Sequence, residues 1–393
     1  MTTTPRRSPL RVTLVGGLAT VVGQLPVFLT GAMAVQITDD LRFGAAALGV
    51  AIAMFRVAGA LTARYLGGLV DRIGAIASLR LSTTISMITG VGMATTTTSW
   101  EILVAWLMLG ATGNVLAQPA ANRLLVRTVP AHRQGMAFGV KQSAPPASSM
   151  LAGLSVPAIA LTVGWRWAYL VGAVLGVVVL ISAGRRLPPA ERQTTSRAQR
   201  PKLRDRRSLI LLATALGLST TASVPVAAFF VDASVRAGSS PELAGSLLAI
   251  ASGAAILTRL AGGAVADRMA GGHLRLCAVM VALGSSGLAL LALGSPAAMA
   301  VGVVIALMGT WGFNGVYVFS LMRAYPDAPG AATGATMPGG LMGGILGPVV
   351  FGVLVEQAGY PAAWSFTCVV AVLAAGGFFL AAARLSPPPE REG

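Results

Sequence analysis

The stretch "GGLVDRIG", residues 67–74, ends a long apolar run with an acidic–basic pair set between glycines. "GGAVADRMAGG", residues 262–272, repeats the arrangement far down the chain. Outward from both, the sequence is greasy: of 393 residues, 55% are hydrophobic and only 11% are charged. A soluble domain carries roughly a quarter of its residues charged, so this chain lacks the polar surface that water demands. Apolar blocks recur almost from end to end.

A helix needs about 20 mostly apolar residues to cross the hydrocarbon core. Breaks at charges, Pro and Gly place spans at 12–34, 45–66, 76–96, 101–122, 135–160 and 166–184. A second set falls at 208–231, 242–265, 273–294, 297–320, 331–355 and 361–383. The pattern predicts an all-α membrane protein with twelve transmembrane helices; the alternation that a barrel requires is missing from the sequence. "GAMAVQ", residues 31–36, offers a small-x-small site, but the apolar run before it exceeds the 7–15 residues of a secretory signal core. It reads as a span. Cys277 and Cys368 fall inside apolar spans and read as packing residues.

The net charge is +16, and its placement explains it. Arg6, Arg7, Arg11, Arg72, Arg80, Arg127, Arg133, Arg268, Arg275 and Arg323 gather on one side with a dense central loop. The other side keeps Arg42, Arg166 and Arg236. By the positive-inside rule the crowded side is cytoplasmic, which puts both termini there and the protein in the cytoplasmic (inner) membrane. The lipid bilayer accounts for the basicity without nucleic acid. The loop 185–207, "RRLPPAERQTTSRAQRPKLRDRR", suits a flexible tether on anionic lipid. It divides an N-terminal bundle, 1–184, from a C-terminal one, 208–393.

The two parts echo each other. Asp71–Arg72 matches Asp267–Arg268, and "LVRTVP" (125–130) matches "LMRAYP" (321–326) at the same spacing. Parallel six-helix repeats of this kind are a transporter architecture. On these residues the chain resembles the major facilitator superfamily along almost its whole length. The signature of that family, Gly-x-x-x-Asp-Arg-x-Gly between helices 2 and 3, stands here as Gly67, Asp71, Arg72 and Gly74. Gly263, Asp267 and Arg268 form a weaker copy. The resemblance implies two pseudo-symmetric six-helix bundles working by alternating access, with Asp71, Arg72, Asp267 and Arg268 as gating residues. It would bring Asp71 close to residue 330, facing the positive end of helix 11 when the cytoplasmic side is shut. A topology anchor without gating is the alternative. Two departures stand out: only Arg80 follows the loop where the family has a basic cluster, and helix 5 reads "QSAPPASSMLAGLSVP" where drug–proton antiporters have a Gly-Pro-rich signature. "GGILGPVVFG" (343–352) in helix 11 could simply allow close helix packing.

An ionisable side chain inside a span is a functional hypothesis by default. Arg56 and Arg64 in helix 2, Lys141 in helix 5 and Arg259 in helix 8 qualify. Asp39, Asp40, Glu101, Asp232, Glu242 and Glu356 lie near one end of the spans, and Asp71, Glu191, Asp205, Asp267 and Asp327 near the other. With no carboxylate at mid-span, the pathway favours an anion, whose oxygens a guanidinium can hold through paired hydrogen bonds. Arg64 and Arg259 could instead snorkel to the surface, and Arg56 could meet a carbonyl. Lys141 and Gln142 open "KQSAPP", whose prolines free backbone carbonyls that need partners. Asn114, Gln118 and Asn122 form one stripe on helix 4. Gln118 corresponds across the repeat to Asn314, flanked by Trp311 and Tyr317 in helix 10. The resemblance places helices 4 and 10 on the central path, and Gln24, Pro26, Thr221 and Pro225 beside it on helices 1 and 7.

An enzyme needs convergent acid, base or metal ligands, and the histidines, His132 and His273, form no such group; neither cofactor nor metal is expected. The reading is a secondary transporter, acting as a monomer, that moves a small, anionic solute by proton symport, exchange or facilitation. The stretch 121–146 with "GWRWAY" (164–169) is similar to bacterial cyanate- and nitrate-type permeases. Proton-coupled drug efflux is the alternative; it would want a membrane-embedded carboxylate, and the nearest, Asp232, lies near the outer rim.

Overall fold

The structure is a computed structural model that describes residues 9–130, 137, 139–183, 205–269, 271–325 and 329–385. His132, Arg133, Asp327 and the linker up to residue 204 lie outside the described residues. The first half contains α1 (Pro9–Ala32), the short α2 (Ala34–Leu41), α3 (Ala45–Ile73), α4 (Ala75–Thr96), α5 (Trp100–Thr128), α6 (Ala144–Ser155) and α7 (Trp165–Ala183). The second contains α8 (Arg206–Arg236), α9 (Pro241–Arg268), α10 (His273–Ala292), α11 (Pro296–Ala324) and a long helix, Pro329–Leu385. Gly359, at φ 81, bends that last helix; its limbs, 329–358 and 360–385, are α12 and α13.

Nine of the described helices are long and apolar enough to cross a membrane. The bent helix supplies two spans, and two more come from α4, rich in Ser and Thr, and from the fifth span around α6. The chain is an all-α, multi-pass membrane protein. Several helices outrun the expected spans. α3 continues through Gly67, Gly68, Asp71 and Arg72 and stops only at Gly74, whose φ of 84 favours glycine. The acidic–basic pair therefore sits in the last helical turn. α8 starts where Asp205 accepts the Ser208 N–H at 3.2 Å. The Ser208 hydroxyl and backbone hold the Asp205 carboxyl below the usual carboxylate range.

The helices form two six-helix bundles. In the first, α1 packs against α4, α5, α6 and α7; in the second, α8 packs against α11, α12 and α13. The bundles meet along α3 with α12 and along α6 with α9, with α1 and α8 between them. Gly74, Thr128 and Arg206 mark one membrane side, called here the linker side; Thr96, Trp165 and Gly359 mark the far side.

The two sides are packed differently. On the far side, backbones touch where only glycine fits. A Cβ at Gly31 of α1 would lie 2.8 Å from the Ala228 Cα of α8, and one at Gly153 of α6 would lie 2.6 Å from the Gly245 carbonyl of α9. Gly49 of α3 abuts the Pro348 carbonyl of α12, and Gly352 of α12 abuts Ala45. Small residues that let backbones approach are the usual glue between helices in lipid. On the linker side, Gly67 and Gly68 of α3 and Gly334 of α12 have no neighbour within 4 Å of a side-chain position. Leu61 and Tyr65 of α3 and Met337 and Met342 of α12 are exposed there. The bundles are sealed on the far side and splayed on the linker side.

Candidate functional site

The buried cations meet near the level where the bundles part. The cause begins in the "KQSAPP" segment. Pro146 has no N–H, so the Gln142 carbonyl four residues back loses its helical partner. Arg259 of α9 fills the gap: its guanidinium donates to the Gln142 carbonyl across the bundle boundary and, at 2.8 Å, to the Trp311 carbonyl of α11. The Asn314 amide donates to the same Trp311 carbonyl at 3.4 Å. On the other flank of Gln142, the Lys141 ammonium donates to Gln118 Oε1 of α5 and, at 3.3 Å, to Gln142 Oε1. Gln118, Lys141, Gln142, Arg259, Trp311 and Asn314 thus form one hydrogen-bonded network through α5, the fifth span, α9 and α11. Lys141 is 3% exposed and Arg259 7%.

Charge balance sets this network apart. A buried cation normally keeps an acidic partner. Among the described residues Asp232 is the only buried carboxylate. It is already engaged, accepting from Arg236 Nε at 2.9 Å and from the Tyr360 hydroxyl at the far-side end of α8. Lys141 has three donors, two of them placed on amide oxygens; Arg259 Nε is buried without an acceptor. The site can therefore accept negative charge and has none of its own.

Arg56 marks the second seam. Its chain lies flat on Gly344 of α12, where a Cβ would come within 2.8 Å of Cδ and 3.0 Å of Nε. That Nε is buried with no acceptor. From Arg56 toward the far side, α3 and α12 stay in contact; toward the linker side they diverge. Asn114 also carries a buried oxygen without a donor, and its backbone packs against Gly23 of α1.

Other expected residues lie elsewhere. Arg64 is exposed on the splayed part of α3. Tyr317 is 4% exposed in an aromatic cluster with Phe313 and Phe378, inside the second bundle and apart from the network. The Trp311 ring meets Phe28 of α1 edge-on, with centroids 5.8 Å apart, and so bridges the two bundles. Asp71 pairs with Arg123 of α5, inside its own bundle, and Arg123 also donates to the Val70 carbonyl at 3.3 Å. Arg72, Asp267 and Arg268 are exposed.

Two contributors take their roles from packing alone. Arg123 directly follows Asn122, in the linker-side part of α5, a position that could have marked it as a partner for Asp71. Glu356, at the far-side end of α12, accepts the Ala46 N–H at 2.9 Å. It thus caps the α3 N-terminus from the opposite bundle, where an anion is favoured by the free N–H groups and the helix dipole.

A double-mutant cycle tests the Arg259 bond. Pro146→Ala restores a donor for the Gln142 carbonyl, so Arg259→Ala should cost less stability in that background than in the wild type. The expected coupling is about 0.5–3 kcal/mol, read from thermal unfolding of the four proteins; additive losses would mean that the proline and the arginine act independently.

The model of the Major Facilitator Superfamily matches residues 16–340. The chain belongs to that superfamily. Proteins of this superfamily are transporters set in the lipid bilayer. An uncharacterized MFS-type transporter of Mycobacterium tuberculosis is 26% identical over 152 residues, 39% of this chain and 26% of the relative; the match spans about a quarter of that relative's length. Solved facilitator structures share the fold. A bacterial homolog of the human lysosomal transporter Spinster, inward-facing and occupied, superimposes with a TM-score of 0.76 at 16% identity, covering 99% of this chain and 100% of its own. A D-xylose–proton symporter gives 0.73 at 17% identity over 94% and 97%, and the nucleoside transporter NupG 0.72 at 17% over 95% and 99%. In this facilitator, the network lies on the fourth, fifth, eighth and tenth spans.

Proposed function

We propose that this facilitator moves a small anionic solute across the cytoplasmic membrane by alternating access, and that its linker side is cytoplasmic. The observation that carries the reading is the buried Lys141–Arg259 network, which has no carboxylate among the described residues. A site so charged lowers the free energy of an anion relative to a cation, and the amides of Gln118, Gln142 and Asn114 supply hydrogen bonds that fix its orientation. The oxygens of a carboxylate, nitrate or phosphate suit such donors. Where protons are coupled they travel with the anion, since a free buried acid that would shuttle them separately is missing from the described residues.

The orientation rests on the positive-inside rule. With the linker side cytoplasmic, the splayed bundles correspond to the inward-open form. In that form Asp71 holds Arg123, and Glu356 caps α3 from across the far-side seam. We infer that these two carboxylates alternate: Glu356 stabilises closure at the far side, and Asp71 meets the α12 N-terminus when the linker side closes. The domain boundaries proposed are 1–184 and 208–393, joined by the basic tether.

Proton-coupled drug efflux would require a free carboxylate facing the pathway, and Asp232 is spent on Arg236 and Tyr360. A thermal-shift screen of the purified protein against small anions and lipophilic cations separates the two readings. A ligand that binds only the folded form raises the melting temperature by mass action. Anions should raise it; a rise with lipophilic cations alone would favour efflux.

A further inference from the structure

We infer that the two seams between the bundles have different jobs. The seam of α9 with the fifth span is a hinge that stays joined, with Arg259 as its staple; the seam of α3 with α12 is the gate that parts on the linker side. The inference rests on the alternating-access reading above and is indifferent to the charge of the solute.

Contacts run far down the α9 seam. Toward the far side, a Cβ at Gly245 of α9 would lie 2.6 Å from the Val156 Cβ. Lower down, the Ser252 hydroxyl donates to the Ser149 hydroxyl at 2.9 Å, both buried. A Cβ at Gly253 would sit 3.7 Å from Met150 Sδ. The Arg259 guanidinium then holds the Gln142 carbonyl, and a Cβ at Gly139 would meet Leu260 Cδ2 at 3.9 Å. From Gly245 to Leu260 α9 rises about 22 Å, which leaves about 12 Å before Arg268.

The α3 seam stops sooner. Its glycine contacts run from Gly352 on Ala45 to Gly344 on Arg56, about 17 Å of α3. About 26 Å more of the helix continues to Ile73. Along that stretch Leu61 and Tyr65 are exposed, and Gly67 and Gly68 have open space beside them. On α12, Gly334 is open and Met337 exposed.

The chemistry of the two seams matches these tasks. Parting the α9 seam would separate two buried hydroxyls and strip Arg259 from the Gln142 carbonyl, which Pro146 leaves without a helical donor. Polar groups left unsatisfied in a low-dielectric interior are costly. Between α3 and α12 below Arg56, the described residues make no hydrogen bond across the seam, so that side opens without such a loss. Arg259 is thereby a positioning residue. It anchors the Gln142 backbone, and with it Lys141, while the opening beside α3 leads to Arg56 at its inner end.

The test is a pair of spin–spin distance measurements on the full-length protein in nanodiscs, with Cys277 and Cys368 replaced by alanine. Labels at 61 and 337 span the gate. Labels at 140 and 257, each two residues from the Gln142–Arg259 bond, span the hinge; all four positions are exposed. Gly49→Leu and Asp71→Asn bias the exchange in opposite directions, so one folded variant suffices. The 61–337 distance should shorten in the first and lengthen in the second, while the 140–257 distribution keeps its wild-type position and width. Arg259→Ala should broaden the 140–257 distribution; an unchanged width would remove the arginine as the staple. A 140–257 distance that shifts along with 61–337 overturns the hinge and leaves alternating access standing. A 61–337 distance unmoved in both variants overturns the gate, and with it the alternation of closures proposed above.

Discussion

Lys141→Ala lowers the affinity for small anions by about 10- to 100-fold, while the ligand-free protein melts no earlier than the wild type. The first half follows from the lost charge-assisted bond: a hydrogen bond to a charged group is worth about 1.5–3 kcal/mol, or roughly one to two powers of ten in affinity. The second half follows from burial. Lys141 is 3% exposed and is held by amide oxygens without an acid. Removing such a charge relieves a desolvation penalty even as it strands Gln118. A purely structural lysine would show the opposite pattern, with stability falling and anion affinity unchanged. Thermal unfolding with and without anion separates the two outcomes.

Gly49→Leu produces the second large effect. Gly49 abuts the Pro348 carbonyl of α12, and this contact permits closure on the far side. A leucine there wedges the seam apart, and overpacking costs about 1–3 kcal/mol, enough to shift a two-state balance by about 5- to 150-fold. The transporter should move toward the form open on the far side. Asp71→Asn should move it the other way: the pair with Arg123 that it breaks is exposed and contributes little, while it removes the carboxylate expected to meet the α12 N-terminus when the linker side is shut. Single cysteines at positions 61 and 337, exposed in the present form, report the balance. Labelling there should fall in Gly49→Leu and rise in Asp71→Asn. Equal labelling in all three proteins would mean that neither contact governs the exchange.

The sequence made the architecture legible because lipid imposes one strong rule: each span must be long, apolar and helical to satisfy its backbone. Span ends were less legible. Gly67, Gly68, Asp71 and Arg72 read as a boundary, yet α3 runs through them to Ile73, since a helix leaving the membrane can continue into water. The charged members of the site stood out for the same reason the spans did, as rare ionisable residues in apolar surroundings. Their partners did not. Pro146 announces a free carbonyl in the sequence, but only packing shows that Arg259, from the other bundle, takes it. Tyr317 illustrates the limit most simply. In a helix apolar on every face, periodicity cannot tell the pathway from the core, and the ring lies against Phe313 and Phe378. The paired glycine stripes of α12 were visible as "GGILGPVVFG", but which neighbour each faces depends on the fold.

The most direct measurement is flux. Purified protein reconstituted in proteoliposomes is loaded with an unlabelled anion chosen by thermal shift, and entry of the labelled anion by exchange is followed against protein-free vesicles and the Lys141→Ala variant. The expected result is saturable anion uptake that the variant lacks. Uptake equal in variant and wild type, or a lipophilic cation carried where no anion is, would contradict a pathway built around buried positive charge.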